Sequence, residues 1–210
     1  VGADMCITDR REIAPLLDKA GFEAIDLVGG AVFDVCVRYL HEDPWERMRI
    51  LNSWVRETPL IIHTRGQSLF TFEFFADDVV KLAAERFAAN GMTYHTVYDA
   101  LNDVRNLDIP IRAAREHGIY TVPGLVYTVS PVHTDKYYVR KAKELLQIGM
   151  DALFIKDPSG LLTPERIATL VPALKSTIGD MPLQLHTHCL SGLGPYAALQ
   201  SVAVSYTHLR

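Results

Sequence analysis

"VRKAKELLQIGMDALFIKDPSGLLTPERIATLVPALKSTIGDMPLQLHTH" (139–188) contains one pattern twice: a stretch of helical period, a glycine, then a short apolar run ending in charged or imidazole side chains. Gly149 and Gly179 each stand where a helix ends and a strand is about to begin, the place where a residue free to adopt positive φ is favoured. Thr163-Pro164-Glu165 supplies an N-cap, a proline at the first helical position and an acid in the first turn. The runs "DALFIKD" and "PLQLHTH" are largely apolar on both faces, as strands buried inside a parallel sheet are.

The same pattern extends towards the N-terminus. Gly21, Gly91 and Gly118 close "IAPLLDKAG", "VVKLAAERFAANG" and "IRAAREHG", and the apolar runs "EAIDLVGG", "PLIIHTRG", "MTYHTVYD" and "IYTVPGLVYT" complete a set of six expected strands, each followed by a helix. Repeated βα units predict either a barrel or a doubly wound sheet. No Gly-x-Gly-x-x-Gly turn follows the first strand. Polar residues collect at the C-terminal ends of many strands (Asp26, Arg65, Asp99, Lys156, Asp157, His186 and His188), which favours a (β/α)₈ TIM barrel, where those ends form the catalytic face. A complete barrel takes roughly 250 residues, so a 210-residue chain with six visible strands is expected to be an incomplete one, short of about two of the eight. No linker marks a second domain.

Composition excludes several classes. With 49% hydrophobic and 22% charged residues the chain is globular, and a formal charge of −4 with scattered Lys and Arg predicts no nucleic-acid partner. No apolar stretch approaches the roughly 20 residues of a membrane span, so no membrane insertion is expected. Three cysteines, Cys6, Cys36 and Cys189, are odd in number and widely spaced, which predicts free thiols and a cytoplasmic protein.

Among the strand-end residues, His186 and His188 lie two apart, so their imidazoles point to one face and suit a shared cation; two polar residues ending a strand are the plain alternative. Cys189 points to the opposite face and is expected to pack. Lys156 closes an apolar strand, a costly place for a cation. It is either paired with Asp157 or Asp99, or reactive as a neutral amine that takes up CO₂ as a carbamate. Asp157 is expected to hold the strand end or the following loop. Arg65, followed by Gly66 and Gln67, suits capture of a substrate carboxylate or a structural salt bridge. Asp34 and Arg38 are four apart on a short helix, where an exposed ion pair is the simple reading. Asp99 is expected to face the site and Asp103 to cap a helix, while His63 and His95 read as core histidines.

"DKAGFEAIDLVGGAVFDVCVRYLHEDPWERMRIL", "HTRGQS", "VYDALND", "IKDPSGLLTP" and "LHTHCLSG" resemble the carboxyltransferase domain of biotin-dependent enzymes, a family that includes pyruvate carboxylase, the α subunit of oxaloacetate decarboxylase and transcarboxylase. The resemblance covers about residues 7–203 and leaves 204–210 as a non-matching tail. It implies a (β/α)₈ barrel with a divalent zinc, manganese or cobalt ion held by a carbamylated Lys156, His186 and His188. Arg65 then binds a 2-oxo acid such as pyruvate or oxaloacetate, with Arg38 near the site. The implied reaction moves a carboxyl group between that acid and carboxybiotin, brought by a biotin carboxyl carrier domain or subunit, in a homo-oligomer when the protein is full length. The family's opening strand, with a further metal-binding aspartate, has no counterpart here; Asp4 and Asp9 do not replace it, and the chain alone is expected to be poorly active. Two alternatives remain: a metal-dependent lyase of the hydroxymethylglutaryl-CoA lyase and isopropylmalate synthase group, which lacks the lysine ligand, or a degenerate, non-catalytic barrel.

Overall fold

The computed structural model describes residues 7–206. Its strands are β1 (Ile25–Val28), β2 (Leu60–Thr64), β3 (Tyr94–Tyr98), β4 (Tyr120–Val126), β5 (Leu153–Asp157) and β6 (Leu183–Thr187). The helices are α1 (Ile7–Asp18), α2 (Gly30–Val35), α3 (Pro44–Trp54), α4 (Asp77–Ala89), α5 (Arg105–Glu116), α6 (Asp135–Ile148), α7 (Pro164–Ile178) and α8 (Gly194–Tyr206). The strands follow chain order in one sheet. β1 with β2, β2 with β3, β4 with β5 and β5 with β6 all pair in parallel. This is the βα repeat that the glycine spacing predicts. Gly21, Gly91, Gly118, Gly149 and Gly179 all have positive φ, the backbone state that lets a helix stop and turn into a strand.

Two compact units divide the chain. The first runs to Val97 and includes Asn106–Thr121; the second comprises Tyr98–Arg105 and the residues from Val122 onward. In the first, Val28, Leu60 and Ile62 of the sheet pack with Met48, Leu51, Val80 and Phe87 of the helices. Phe33 stacks on Phe70, with ring centroids 4.1 Å apart, and also meets the edge of Trp45. These rings tie α2, α3 and the loop after β2 into one body. Asp43 caps α3 by accepting the Trp45 N–H at 2.9 Å, Pro44 opens the helix, and the buried Arg47 turns back onto Glu42. Asp18, at the end of α1, accepts the amides of Arg56, Glu57 and Thr58, which pin the segment entering β2.

In the second unit the buried faces of α6 and α7 cover β5, with Leu145, Leu153, Ile155, Ile167, Leu170 and Leu174 almost wholly removed from water. Thr163 caps α7 through the Arg166 N–H, Pro164 is at the first turn and Glu165 follows, as the sequence predicts. The buried Asn102 has φ 57° and trades two hydrogen bonds with Val126, accepting its N–H at 2.7 Å and donating to its carbonyl at 2.9 Å. It thereby copies a strand residue beside the end of β4.

One expectation needs correction. The first apolar run ends as a strand at Val28 because an irregularity between Asp26 and Val28 shifts the register and Gly30 already belongs to α2. Asp26 is therefore the second residue of β1, with an exposed side chain, and not a strand-end group. The described part of the tail, 204–206, is the last turn of α8. Asp4, Cys6 and residues 207–210 lie outside the described residues.

Candidate functional site

Two groups of side chains at strand ends hold the sequence-predicted site residues, one in each unit. In the second unit the β5–β6 ladder aligns Lys156 with His186 and Asp157 with Thr187. Lys156 is 5% exposed, its Nζ is 3.5 Å from His186 Nε2 and 4.5 Å from the centre of the Tyr98 ring. The His186 and His188 rings follow on the same face with centroids 5.1 Å apart. Burial, then the neighbouring Lys156 charge, then His188, push the His186 pKa down to about 4, so the ring is neutral at pH 7. The neutral imidazole is the form that binds a metal ion.

Beneath these residues lies a packed floor. Phe154 precedes Lys156 by two positions and pairs across the ladder with Gly124, whose missing Cβ makes room for the ring: a Cβ there would lie 2.3 Å from Phe154 Cζ. The Phe154 ring also approaches that of His186, with centroids 6.4 Å apart. Asp157 does what the sequence analysis assigns it, since its carboxylate accepts the Leu161 and Leu162 amides at 2.9 and 3.0 Å and so holds the loop. Cys189 keeps out of the histidine cluster; its sulfur accepts the Gly194 N–H at 3.2 Å at the start of α8.

Could a cation be held here? Among the described residues no group of three or more His, Cys, Asp or Glu side chains is placed to bind one. The set that does converge is two imidazoles and a buried lysine, which fits a cation only with Lys156 converted to an anionic oxygen donor, because an ammonium donates and does not ligate.

In the first unit Arg65 directly follows β2. Its Nη1 donates to the Phe70 carbonyl at 2.9 Å and, more weakly, to that of Thr71 at 3.4 Å, while the Phe72 ring lies over the guanidinium with its centre 4.4 Å from Cζ. Gly30 forms the other side of the seat: a Cβ would lie 2.6 Å from Arg65 Nη1. The group is thus held by backbone carbonyls and an aromatic face, and among the described residues no carboxylate forms a salt bridge with it. It borders an open cleft of about 570 Å³ lined by Gly30, Asp34, Arg38, Thr71 and Phe72. Arg38 Nε pairs with Asp34 at 2.7 Å, both well exposed, so the simple reading of that pair holds. Arg38 lies in the π-helical turn Cys36–Leu40 that continues α2.

The remaining candidates make local hydrogen bonds. Asp99 accepts the Leu101 and Asp103 amides at 2.9 Å each, and Asp103 caps α5 through the Arg105 N–H at 3.1 Å. His95 is buried, with Nε2 2.7 Å from Thr64 Oγ1, but its Nδ1 has no hydrogen-bond partner among the described residues. Burial alone lowers its pKa to about 4. His63 bonds Thr96 across the β2–β3 ladder. The sequence analysis missed Gly30, Phe72, Tyr98, Gly124 and Thr187. Only the dense aromatic run "LFTFEFF" could have flagged one of them; the others become visible once register and loop paths are known.

No family model matches the chain. It is 41% identical over 202 residues to a pyruvate carboxylase subunit of Methanocaldococcus jannaschii, covering 96% of this chain and 35% of that protein. It is 35% identical over 187 residues to the methylmalonyl-CoA carboxyltransferase 5S subunit of Propionibacterium freudenreichii subsp. shermanii, covering 89% and 37%. The carboxyl transferase domain of Rhizobium etli pyruvate carboxylase, solved with pyruvate and biocytin, superposes with a TM-score of 0.91 at 30% identity over 96% of this chain and 35% of that one. The family is that of the biotin-dependent carboxyltransferases. The chain spans about a third of the length of these curated carboxyltransferase relatives. Among the described residues no helix is long and apolar enough to cross a membrane.

Proposed function

We propose that the chain is part of a (β/α)₈ carboxyltransferase barrel that moves a carboxyl group between carboxybiotin and a 2-oxo acid, pyruvate or oxaloacetate. The observation that carries this reading is the approach of a buried lysine amine to within 3.5 Å of a neutral imidazole on the neighbouring strand. Lys156, His186 and His188 would hold a divalent zinc, manganese or cobalt ion, Lys156 as its carbamate. The ion would supply a Lewis acid for the oxygen that becomes negative as a 2-oxo acid turns into its enolate. Arg65 binds the acid's carboxylate through the donors that Phe70 and Thr71 leave unused. Arg38 stands at the rim of the same cleft. Biotin arrives on a carrier domain or subunit, because nothing in this reading requires the chain to carry it.

Binding and metal content test this without demanding turnover. Pyruvate or its analogue oxamate, titrated into the purified chain and followed by ligand-observed NMR, is expected to bind, and Arg65→Ala to abolish that binding. Cobalt retained after dialysis in the presence of bicarbonate is expected to fall to background in Lys156→Ala and His186→Ala. Equal cobalt in all three proteins would refute the metal assignment, and equal oxamate binding with and without Arg65 would refute the substrate assignment.

A further inference from the structure

We propose that Asp157 and Thr187 form a clasp that positions Lys156 and His188 relative to one another from the opposite face of the sheet; the inference rests on the metal reading above but concerns residues that touch no ligand. Side chains alternate along a strand, so Asp157 and Thr187, paired in the ladder, point away from the face that carries Lys156, His186 and His188. Asp157 is 1% exposed, and a buried carboxylate demands donors. It finds three: the Leu161 and Leu162 amides at 2.9 and 3.0 Å and the Thr187 hydroxyl at 3.3 Å.

The clasp then reaches the histidine. His188 lies one residue beyond the end of β6 and is exposed. Its N–H donates to the Asp157 carbonyl at 3.1 Å, and Thr187 Oγ1 accepts the next amide, that of Cys189, at 3.1 Å. The two loops that follow are also locked together. The Ser191 hydroxyl donates to the Gly160 carbonyl, and Gly160, at φ 64°, lets the chains approach so closely that a Cβ would lie 2.7 Å from Leu190 N. The direction of His188 therefore depends on groups at Asp157 and Thr187, and the same Asp157 is bonded directly to Lys156. The strand ladder runs through His186 to Thr187, and the clasp extends that order one residue further.

Thr187→Val removes the hydroxyl at nearly constant shape, and Thr187→Ser restores it. With Co²⁺ alone as the probe, in bicarbonate buffer, Thr187→Val is expected to weaken binding about tenfold, the lower end of the effect of losing a group that orients a metal ligand. The visible absorption of bound Co²⁺ should change shape, and the His188 and Cys189 amides should exchange hydrogen faster. Thr187→Ser should return all three to the values of the unchanged chain. Co²⁺ affinity and amide exchange in Thr187→Val that match the unchanged chain would overturn the clasp, as would a serine variant that behaves like valine. If the unchanged chain binds no more Co²⁺ than His186→Ala, the metal reading falls. Amide exchange still decides the clasp in that case: acceleration in Thr187→Val upholds it, and no change overturns it.

Discussion

Arg65 shows how much a single missing carbon can decide. Its guanidinium fits because residue 30 is glycine, and a methyl group there would press on Nη1 at 2.6 Å and on the Phe70 carbonyl at 2.9 Å. The clash reaches both the cation and the acceptor that orients it. Gly30→Ala should therefore weaken oxamate binding by about ten- to a hundredfold, the worth of one charge-assisted hydrogen bond, with little change in melting temperature because the cleft is open. Calorimetric titration beside a thermal melt checks this. An equal loss in both would mark Gly30 as a folding residue instead. Arg65 was legible in the sequence as a strand-end cation, but its seat was not: Gly30 precedes it by 35 positions, and only the folded chain brings them together.

At the scale of elements, a glycine ending a helix and the apolar run behind it were enough to locate five of the strands within a residue or two, and the apolar run alone located β2, whose preceding helix is closed by Val55. What local pattern could not show is how neighbouring strands share space. Phe154 occupies the volume that a side chain at Gly124 would need, with Cβ-to-ring distances of 2.3 to 2.8 Å. Gly124→Ala is expected to destabilise the chain by about 1–3 kcal/mol through overpacking and to push the ring towards His186. Phe154→Leu introduced into that variant should recover part of the loss, because the two sites share one space. Urea midpoints of the four proteins of this cycle measure the coupling, and strict additivity would show that the ring moves aside freely. The short helix that carries Asp34 and Arg38 was legible, but its start at Gly30 and the π-helical turn that extends it were hidden, since β1 was expected to continue through Gly29 and Gly30. The histidine pair was legible from its spacing and Lys156 from its place at the end of an apolar strand, whereas the register that sets Lys156 opposite His186 was not.

For the whole molecule, acid should act in two stages. His95 stays neutral in the fold with a pKa near 4 and takes up a proton near its ordinary 6.5 when unfolded. The unfolded state thus binds more protons between those values, so stability falls as pH drops from 6.5 to 4 and levels off below, by about 3 kcal/mol for this group. His186, also lowered to about 4, acts in the same direction and window. Asp18 is held near 2 by the amides it accepts, and its contribution is present above its ordinary 3.8 and lost as pH falls towards 2. Denaturant midpoints at pH 7, 5 and 4 should show the first stage, and His95→Gln should make it shallower, leaving the share that belongs to His186. A variant whose midpoint falls as steeply as that of the unchanged chain would remove His95 from this account. The stretch from Glu42 to Arg47, part of the longest family-like segment, contributes a helix cap and a part-buried ion pair. Lineage and the proposed chemistry are therefore only partly carried by the same residues: a descendant could lose the Lys156 amine, and with it the proposed reaction, while the capped helix that helps to mark its ancestry stayed intact.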